Sequence, residues 1–265
     1  MNKELLSFIK KINRNTAKDF LSRSHPQSIS YNSSNIFLIS IKGLGEPDIM
    51  LMAEGFRQIL LSRIPGYAIT RIRIRYKNIN DRGEATLVPV LHKYGYIPGV
   101  VENIREIIGN LQKGIFNLAE KDEPLDLECT FFKDIPVSSH YKEFLLGEWV
   151  EEDEADIIIN PEQKILTFQD KGFHVCIEFT IEKWVGFKKA EDVKRDEMAE
   201  TRGNPDVLSL TLDANFNPTK RAGYRIQEET LQFEIETNGA VSPFEAYETA
   251  YALFSEEFTR NKKSI

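Results

Sequence analysis

The sequence has few cysteines and no long hydrophobic run, and each shortage excludes a class of protein. Only two of its 265 residues are cysteines, Cys129 and Cys176, and they form no CxxC pair. This argues against a disulfide framework or a zinc site and favours a reducing compartment. No apolar stretch approaches the roughly 20 residues that cross a bilayer, so we expect no membrane contact.

The motifs of common catalytic and nucleotide-binding sites are also missing. No GxxxxGK[ST], GxGxxG or GxSxG segment is present. The four histidines stand apart from one another, without metal-ligand spacing. The acidic run at 151–154 lacks the glycine and the alternating ligands of a calcium loop, so we interpret it as a solvated loop. We therefore predict no catalytic residue, no metal and no cofactor in this chain.

The charge balance disfavours direct nucleic-acid binding. The chain carries 34 basic and 41 acidic residues, a formal net charge of −7, whereas grip on phosphates comes largely from an excess of Lys and Arg. Arg71, Arg73 and Arg75 alternate with isoleucines, which places them on one face of a strand. We favour a solvated outer face there; the alternative is a surface for nucleic acid or an acidic partner. Protein partners are the default, with DNA reached only indirectly.

Two amphipathic helices are predicted near opposite ends of the chain. The first carries an apolar stripe and ends before Pro65-Gly66; the stripe consists of Ile49, Met52, Ala53, Phe56, Ile59 and Leu60. The second begins at Ser242-Pro243. Its aromatic residues recur near heptad spacing: Phe244, Tyr247, Tyr251, Phe254 and Phe258. Aromatic faces are enriched at interfaces, but this pattern alone fits an internal core equally well.

The remaining patterns predict an α+β fold. Strands are expected at 36–41, 68–75, 86–91, 115–118, 125–131, 156–159, 165–168, 173–184, 207–216, 221–226 and 230–237. A helix is expected after Pro98-Gly99, and the charged stretch 188–203 is expected to be an exposed loop. Strands after 207 could join 36–41 in one antiparallel sheet. We therefore predict a flexible arm over 1–34, a domain from 35–66 and 206–265, and a mostly β insert over 67–205.

Three ordered blocks of sequence resemble the amino-terminal domain of the RNA polymerase alpha subunit. Residues 54–70, EGFRQILLSRIPGYAIT, resemble the first helix of that family, NALRRILLSSMPGCAVT. A second block runs from Val90-Leu91-His92 through Pro98-Gly99 to 110–114. The third comprises 213–218, 233–239 and the helix start at Pro243. The resemblance spans about residues 35 to 258.

The resemblance implies a non-catalytic scaffold that forms a homodimer and then binds the beta and beta-prime subunits of the polymerase. Dimerisation would pack the first and last helices of two copies together. The implied dimer residues are Ile49, Met52, Phe56, Ile59, Leu60, Phe244, Tyr247, Tyr251, Phe254 and Phe258. The implied beta-subunit contacts are Arg57, Gln58, His92, Val100 and Lys113. Gln58 replaces the second arginine of a family pair and supplies no charge, so either that contact is weaker or the partner has co-adapted.

Departures from the family suggest a divergent member. Because the sequence stops at Ile265, we expect it to lack the family's carboxy-terminal DNA-contacting domain. Many Ile, Lys and Asn residues fit an AT-rich gene, so we expect a plastid (chloroplast) stroma, with a bacterial cytoplasm as the alternative. The alternative function is a dimeric interaction module of another complex. A small-molecule enzyme is disfavoured because the sequence offers no cluster of an acid, a base and a nucleophile.

Overall fold

The computed structural model describes residues 18, 21, 27–31, 34–40, 45–79, 85–118, 128–136, 141–150, 156–169, 174–201, 209–228 and 230–260. The chain divides into two compact units. Unit 1 contains Met1–Gly66 and Asn217–Ile265, and unit 2 contains Tyr67–Phe216. Unit 1 is thus built from both ends of the chain, with unit 2 inserted between them.

The described part of unit 1 includes a four-stranded antiparallel sheet and two long helices. Its strands are β1 (Gln27–Tyr31), β2 (Ser34–Ser40), β12 (Thr219–Gln227) and β13 (Thr230–Thr237), in the order β1-β2-β13-β12. The helices are α1 (Glu46–Ser62) and α4 (Pro243–Arg260). Strand β13 alternates strictly between half-buried and buried residues, which is the period of two expected when one sheet face is covered.

Unit 2 contains a larger sheet, of five strands. These are β3 (Pro65–Ile79), which begins in the last residues of unit 1, β4 (Ala85–Pro89), β5 (Glu128–Pro136), β8 (His174–Val185) and β10 (Leu210–Thr211). Their order is β10-β3-β8-β5, and β4 also pairs with β3. Two small antiparallel pairs join β6 (Lys142–Leu145) to β7 (Lys164–Phe168), and β9 (Phe187–Lys188) to β11 (Ala214–Asn215). A 3₁₀ turn covers Leu146–Trp149.

Helices α2 (Ile104–Leu111) and α3 (Ala190–Glu200) complete unit 2. Helix α2 starts in a reciprocal cap: the Asn103 side chain accepts a hydrogen bond from the Glu106 N–H at 3.0 Å, and Glu106 accepts one from the Asn103 N–H at 2.9 Å. Its apolar side faces the core of unit 2, which also contains Phe116, Trp149 and Phe179. Within the described residues, no helix is long and apolar enough to cross a membrane.

Several predicted elements differ from the observed ones. The predicted loop 188–203 contains helix α3, because Val193 and Glu197 on one side of it are buried. The predicted strands 115–118 and 156–159 reduce to one bridge between Phe116 and Ile158. The stretch 207–216 forms two short strands in unit 2, so unit 1 resumes at Asn217, later than the predicted residue 206.

The predicted flexible arm over 1–34 lies mostly outside the described residues. Residues 27–31 are described, however, and they form strand β1 against β2. Ladder hydrogen bonds, which a polar composition does not reveal, place this segment at the edge of the sheet.

Candidate assembly surfaces

The apolar stripes of α1 and α4 meet inside unit 1. The Phe56 ring centroid lies 5.2 Å from that of Tyr247 and 5.9 Å from that of Phe254. Phe37 of β2 stacks on Tyr247 with 4.5 Å between the ring centroids. The ring centroid of Phe233 of β13 lies 5.1 Å from that of Phe56. These separations are typical of favourable aromatic pairs. The aromatic cluster therefore holds both helices on the sheet within one chain.

Most of the predicted dimer residues are buried within the single chain. Seven of the ten are at most 4% exposed and belong to the core of unit 1: Ile49, Met52, Phe56, Ile59, Leu60, Tyr247 and Phe254. Their apolar surface is already covered, so they offer no free surface to a second copy. The Phe258 side chain lies outside the described residues.

Two of the ten predicted residues keep solvent-facing surface, and another exposed side chain lies on the outer side of α1. Phe244 is 44% exposed and Tyr251 is half-buried, with its hydroxyl donating to the Leu21 carbonyl at 3.0 Å. On α1, Met50 is 52% exposed. Leu51 of α1 and Leu253 of α4 are partly buried at the border of the core. We call Met50, Leu51, Phe244 and Leu253 the outer helix surface.

A small polar cluster centred on Glu54 lies on α1. The Arg57 Nε lies 3.2 Å from one Glu54 oxygen, and the Gln58 amide nitrogen lies 3.4 Å from the other. One carboxylate therefore orients both residues that the sequence predicts as beta-subunit contacts. The charges of Glu54 and Arg57 also act on Tyr224 of β12. Burial raises the pKa of Tyr224, Glu54 raises it further and Arg57 opposes the rise. We call Glu54, Arg57, Gln58 and Tyr224 the Glu54 cluster.

The other three predicted beta-subunit contacts belong to unit 2, and one of them is buried. His92 and Lys113 are exposed, and the Lys113 ammonium lies 3.4 Å from the Asn110 side-chain oxygen. Val100 is a core residue, bridged to Phe168 of β7. Its side chain supports the segment from inside and leaves only 7% of its surface exposed.

A group of exposed apolar residues flanks His92 in sequence, and the sequence patterns do not predict it. Leu91, Tyr94, Tyr96 and Val101 are all exposed, and Leu91 retains 79% of its accessible surface. The Arg105 guanidinium lies 5.7 Å from the Tyr94 ring centroid, a cation–π arrangement. The signal for this surface in the sequence is the presence of apolar residues in a turn-rich segment that has neither a helical nor a strand period. Such exposed groups often mark protein contact sites; we call these four residues the 91–101 surface.

The arginine-bearing strand β3 meets acidic partners from its own unit. The Arg71 guanidinium lies 3.2 Å from Glu200 and 3.8 Å from Glu182. Arg73 pairs with Glu178 at 2.5 Å and lies 3.9 Å from Glu197, which is 1% exposed. A solvated outer face, the favoured prediction, is therefore wrong for Arg71, which is buried under α3. These pairings argue against a free basic surface at Arg71 and Arg73.

Comparison with known proteins connects both units to one family. The model of the RNA polymerase Rpb3/Rpb11 dimerisation domain matches residues 51–258. The match begins in α1, crosses all of unit 2 and ends in α4.

Three curated relatives are each named DNA-directed RNA polymerase subunit alpha. The protein of Bifidobacterium longum is 29% identical over 216 residues, covering 78% of this chain and 56% of the relative. That of Rubrobacter xylanophilus is 28% identical over 233 residues, covering 82% and 64%. That of Flavobacterium psychrophilum is 30% identical over 224 residues, covering 78% and 60%. The chain thus spans less than two thirds of the length of these relatives.

Proposed function

Because this chain belongs to the RNA polymerase Rpb3/Rpb11 dimerisation domain family, we propose that it is the alpha-type subunit of a bacterial-type DNA-directed RNA polymerase. In this role it forms a homodimer and is the platform on which the beta and beta-prime subunits assemble. The chain contributes no catalytic group of its own and meets DNA only through the assembled enzyme.

The extent of the family match carries this proposal. A match confined to unit 2 would leave the two helices of unit 1 without a role. Instead it runs from α1 to α4 and includes part of each segment of unit 1. The three relatives match over most of this chain as well. The name that these relatives share supplies the enzyme to which we assign this chain.

We place the dimer contact on the outer helix surface rather than on the buried stripes. Met50 and Phe244 keep about half of their surface, and Leu51 and Leu253 lie beside the core. Helices α1 and α4 are neighbours in unit 1, so a two-fold contact could use residues of both. Burying a large apolar side chain contributes about 1.5–3 kcal/mol, which makes Met50 and Phe244 the strongest candidates.

The larger subunits would contact the Glu54 cluster in unit 1 and the 91–101 surface in unit 2. The Glu54 carboxylate holds Arg57 and Gln58 in place before binding, which lowers the entropy lost on association. Tyr94 and Tyr96 supply exposed aromatic area of the kind enriched at binding hot spots. We assign His92 and Lys113 to the polar border of that contact.

The dimer contact is tested by light scattering on two glutamate variants. The wild type should have twice the 30.5 kDa of one chain. Met50→Glu should shift the mass towards one chain with an unchanged circular dichroism spectrum, because an unpaired carboxylate would be buried in the contact. Lys220→Glu, at an exposed position of β12, is the matched control and should remain dimeric. A dimeric Met50→Glu would refute this surface, and a monomeric wild type would refute the dimer.

The polymerase assignment is tested by purifying the tagged chain from its own cells. Two large catalytic chains should co-elute with it, and variants Tyr94→Ala and Tyr96→Ala together should reduce their recovery. Recovery of an unrelated complex would instead support the alternative, a dimeric interaction module of another assembly.

The cellular location follows from the same experiment. A bacterial-type polymerase works beside the genes it transcribes, and the three relatives are bacterial proteins. The composition of the sequence favours a plastid stroma as the more specific location, with a bacterial cytoplasm as the alternative. Co-elution with plastid-encoded or with bacterial large subunits distinguishes the two.

A further inference from the structure

Three side chains with metal-binding atoms meet on neighbouring strands of unit 2. In the antiparallel register of β5 and β8, Asp134 lies opposite Cys176. His174 precedes Cys176 by two residues on β8, so both side chains lie on the same sheet face. The Cys176 Sγ lies 3.0 Å from the Asp134 Oδ1, and the His174 Nε2 hydrogen-bonds to the same oxygen. All three ligand atoms lie within 4.8 Å of one another.

We propose that Asp134, His174 and Cys176 form a binding site for a divalent transition metal, with zinc as the ion that fits best. Thiolate, imidazole and carboxylate are the three ligand types that zinc takes in proteins, at about 2.0–2.3 Å from the ion. Tetrahedral ligands at those distances lie about 3.5 Å apart. The observed spacing therefore needs only small side-chain adjustments to admit the ion.

The ligand set selects against the common hard cations. Calcium and magnesium require six or more oxygen ligands, whereas this site offers one carboxylate beside a thiol and an imidazole. A thiolate and a carboxylate would together balance the charge of a divalent ion. Binding should therefore depend strongly on Cys176.

The surroundings leave room for a fourth ligand. The Asp134 side chain is half-exposed, whereas Cys176 is buried. Water can therefore complete a tetrahedral shell from the Asp134 side. A bound ion would cross-link β5 and β8 close to the Pro136–His174 pair at one end of their ladder. The site is thus a clamp on the unit 2 sheet, independent of the proposed role in polymerase assembly.

Cobalt absorption spectroscopy on the metal-free, full-length protein tests the site. Cobalt should bind at one ion per chain and produce the charge-transfer absorption of a cobalt–thiolate bond, and zinc should remove it by displacement. Cys176→Ser should abolish this absorption. Cys129→Ser, which changes the other cysteine of the chain, is the matched control and should retain it.

Two ligand variants keep the proposal testable if Cys176→Ser does not fold. His174→Gln and Asp134→Asn should each weaken zinc binding at least about tenfold in competition with a chelator, with unchanged circular dichroism. Absence of the cobalt–thiolate absorption in the wild type would overturn the proposal. So would zinc affinity that neither variant alters, or an absorption that is lost with Cys129 rather than with Cys176.

Discussion

Unit 1 and unit 2 both cover an antiparallel sheet with helices, but different chemistry fills the interfaces. In unit 1 aromatic and aliphatic side chains of α1 and α4 pack on β2 and β13. In unit 2 helix α2 is packed in the same apolar manner. Helix α3 instead presents Glu197 and Glu200 to arginines on β3.

The two kinds of interface differ in how precisely their side chains must be placed. Apolar burial depends mainly on area, so a stripe on a helix is enough to predict it. An ion pair across two elements stabilises only when both partners are placed correctly, and a buried charge left without its partner is costly. Unit 1 should therefore respond most to buried polar substitutions, and unit 2 to the loss of a single acidic partner.

Phe254→Asp is expected to have the largest effect, in unit 1. Phe254 is fully buried beside Phe56, and an unpaired carboxylate there should lower the free energy of unfolding by more than about 4 kcal/mol. Both tryptophans, Trp149 and Trp184, belong to unit 2. Urea unfolding followed by circular dichroism should thus show an early transition that tryptophan fluorescence lacks.

The control for this prediction is Glu248→Asp on the same helix. Glu248 is exposed and lies outside the outer helix surface, so its replacement should lower the free energy of unfolding by less than about 0.5 kcal/mol. Equal costs for the two variants would contradict the assignment of Phe254 to the core.

Glu197→Ala is expected to have the next largest effect, in unit 2. The buried Glu197 carboxylate accepts hydrogen bonds from the Ser209 N–H at 3.1 Å and from the Ser209 hydroxyl at 2.5 Å, and it faces Arg73. Its removal should cost about 3 kcal/mol. Tryptophan fluorescence during urea unfolding should record the loss. Glu191→Ala, at an exposed position of α3, should leave the transition in place; a similar shift would refute the buried network.

Removing a helix cap should lower the free energy of unfolding by less than the Phe254 and Glu197 substitutions do. The loss should be similar in both units. The Ser242 hydroxyl accepts from the Glu245 N–H at 3.2 Å, and Glu245 accepts from the Ser242 N–H at 2.9 Å. Ser242→Ala should lower the free energy of unfolding by about 1 kcal/mol, as should Asn103→Ala at the start of α2. Ser242→Gly should lower the free energy of unfolding by only about a few tenths of a kcal/mol. A Ser242→Gly variant as unstable as Ser242→Ala would contradict this prediction.

The smallest predicted effect is a titration in unit 1. Burial, with a contribution from Glu54, raises the pKa of Tyr224 above its ordinary value of about 10. The folded state therefore favours the neutral phenol, and this stabilisation is lost as the pH rises through the raised value. Phenolate absorbance should show one late-ionising tyrosine that is missing in Tyr224→Phe. A difference spectrum that titrates near the ordinary value would contradict the assignment.

Much of the fold could be predicted because apolar periodicity survives in the sequence. Helix α1, helix α4 and strand β13 lie where their patterns place them, since each covers one apolar face. Helix α3 could not be found in the same way. Its buried side contains Val193 and the acidic Glu197, and a buried carboxylate looks like a solvent-facing residue until its partners on distant segments are known.

The candidate site was harder to predict than the fold. The aromatic stripe of α4 fitted core and interface equally well, and only the packing of Tyr247 and Phe254 against Phe37 and Phe56 decides for the core. Likewise, Val100 carries no mark that separates a buried support from a contact residue. Exposure depends on long-range packing, which periodicity along the chain does not record.

The stoichiometry of the complex with the large subunits tests the central claim most directly. Native mass spectrometry on the chain co-expressed with the beta and beta-prime subunits of its own genome would measure it. We expect two copies of the 30.5 kDa chain with one copy of each large subunit. A single copy per complex, or a chain that remains separate from both large subunits, would contradict the account.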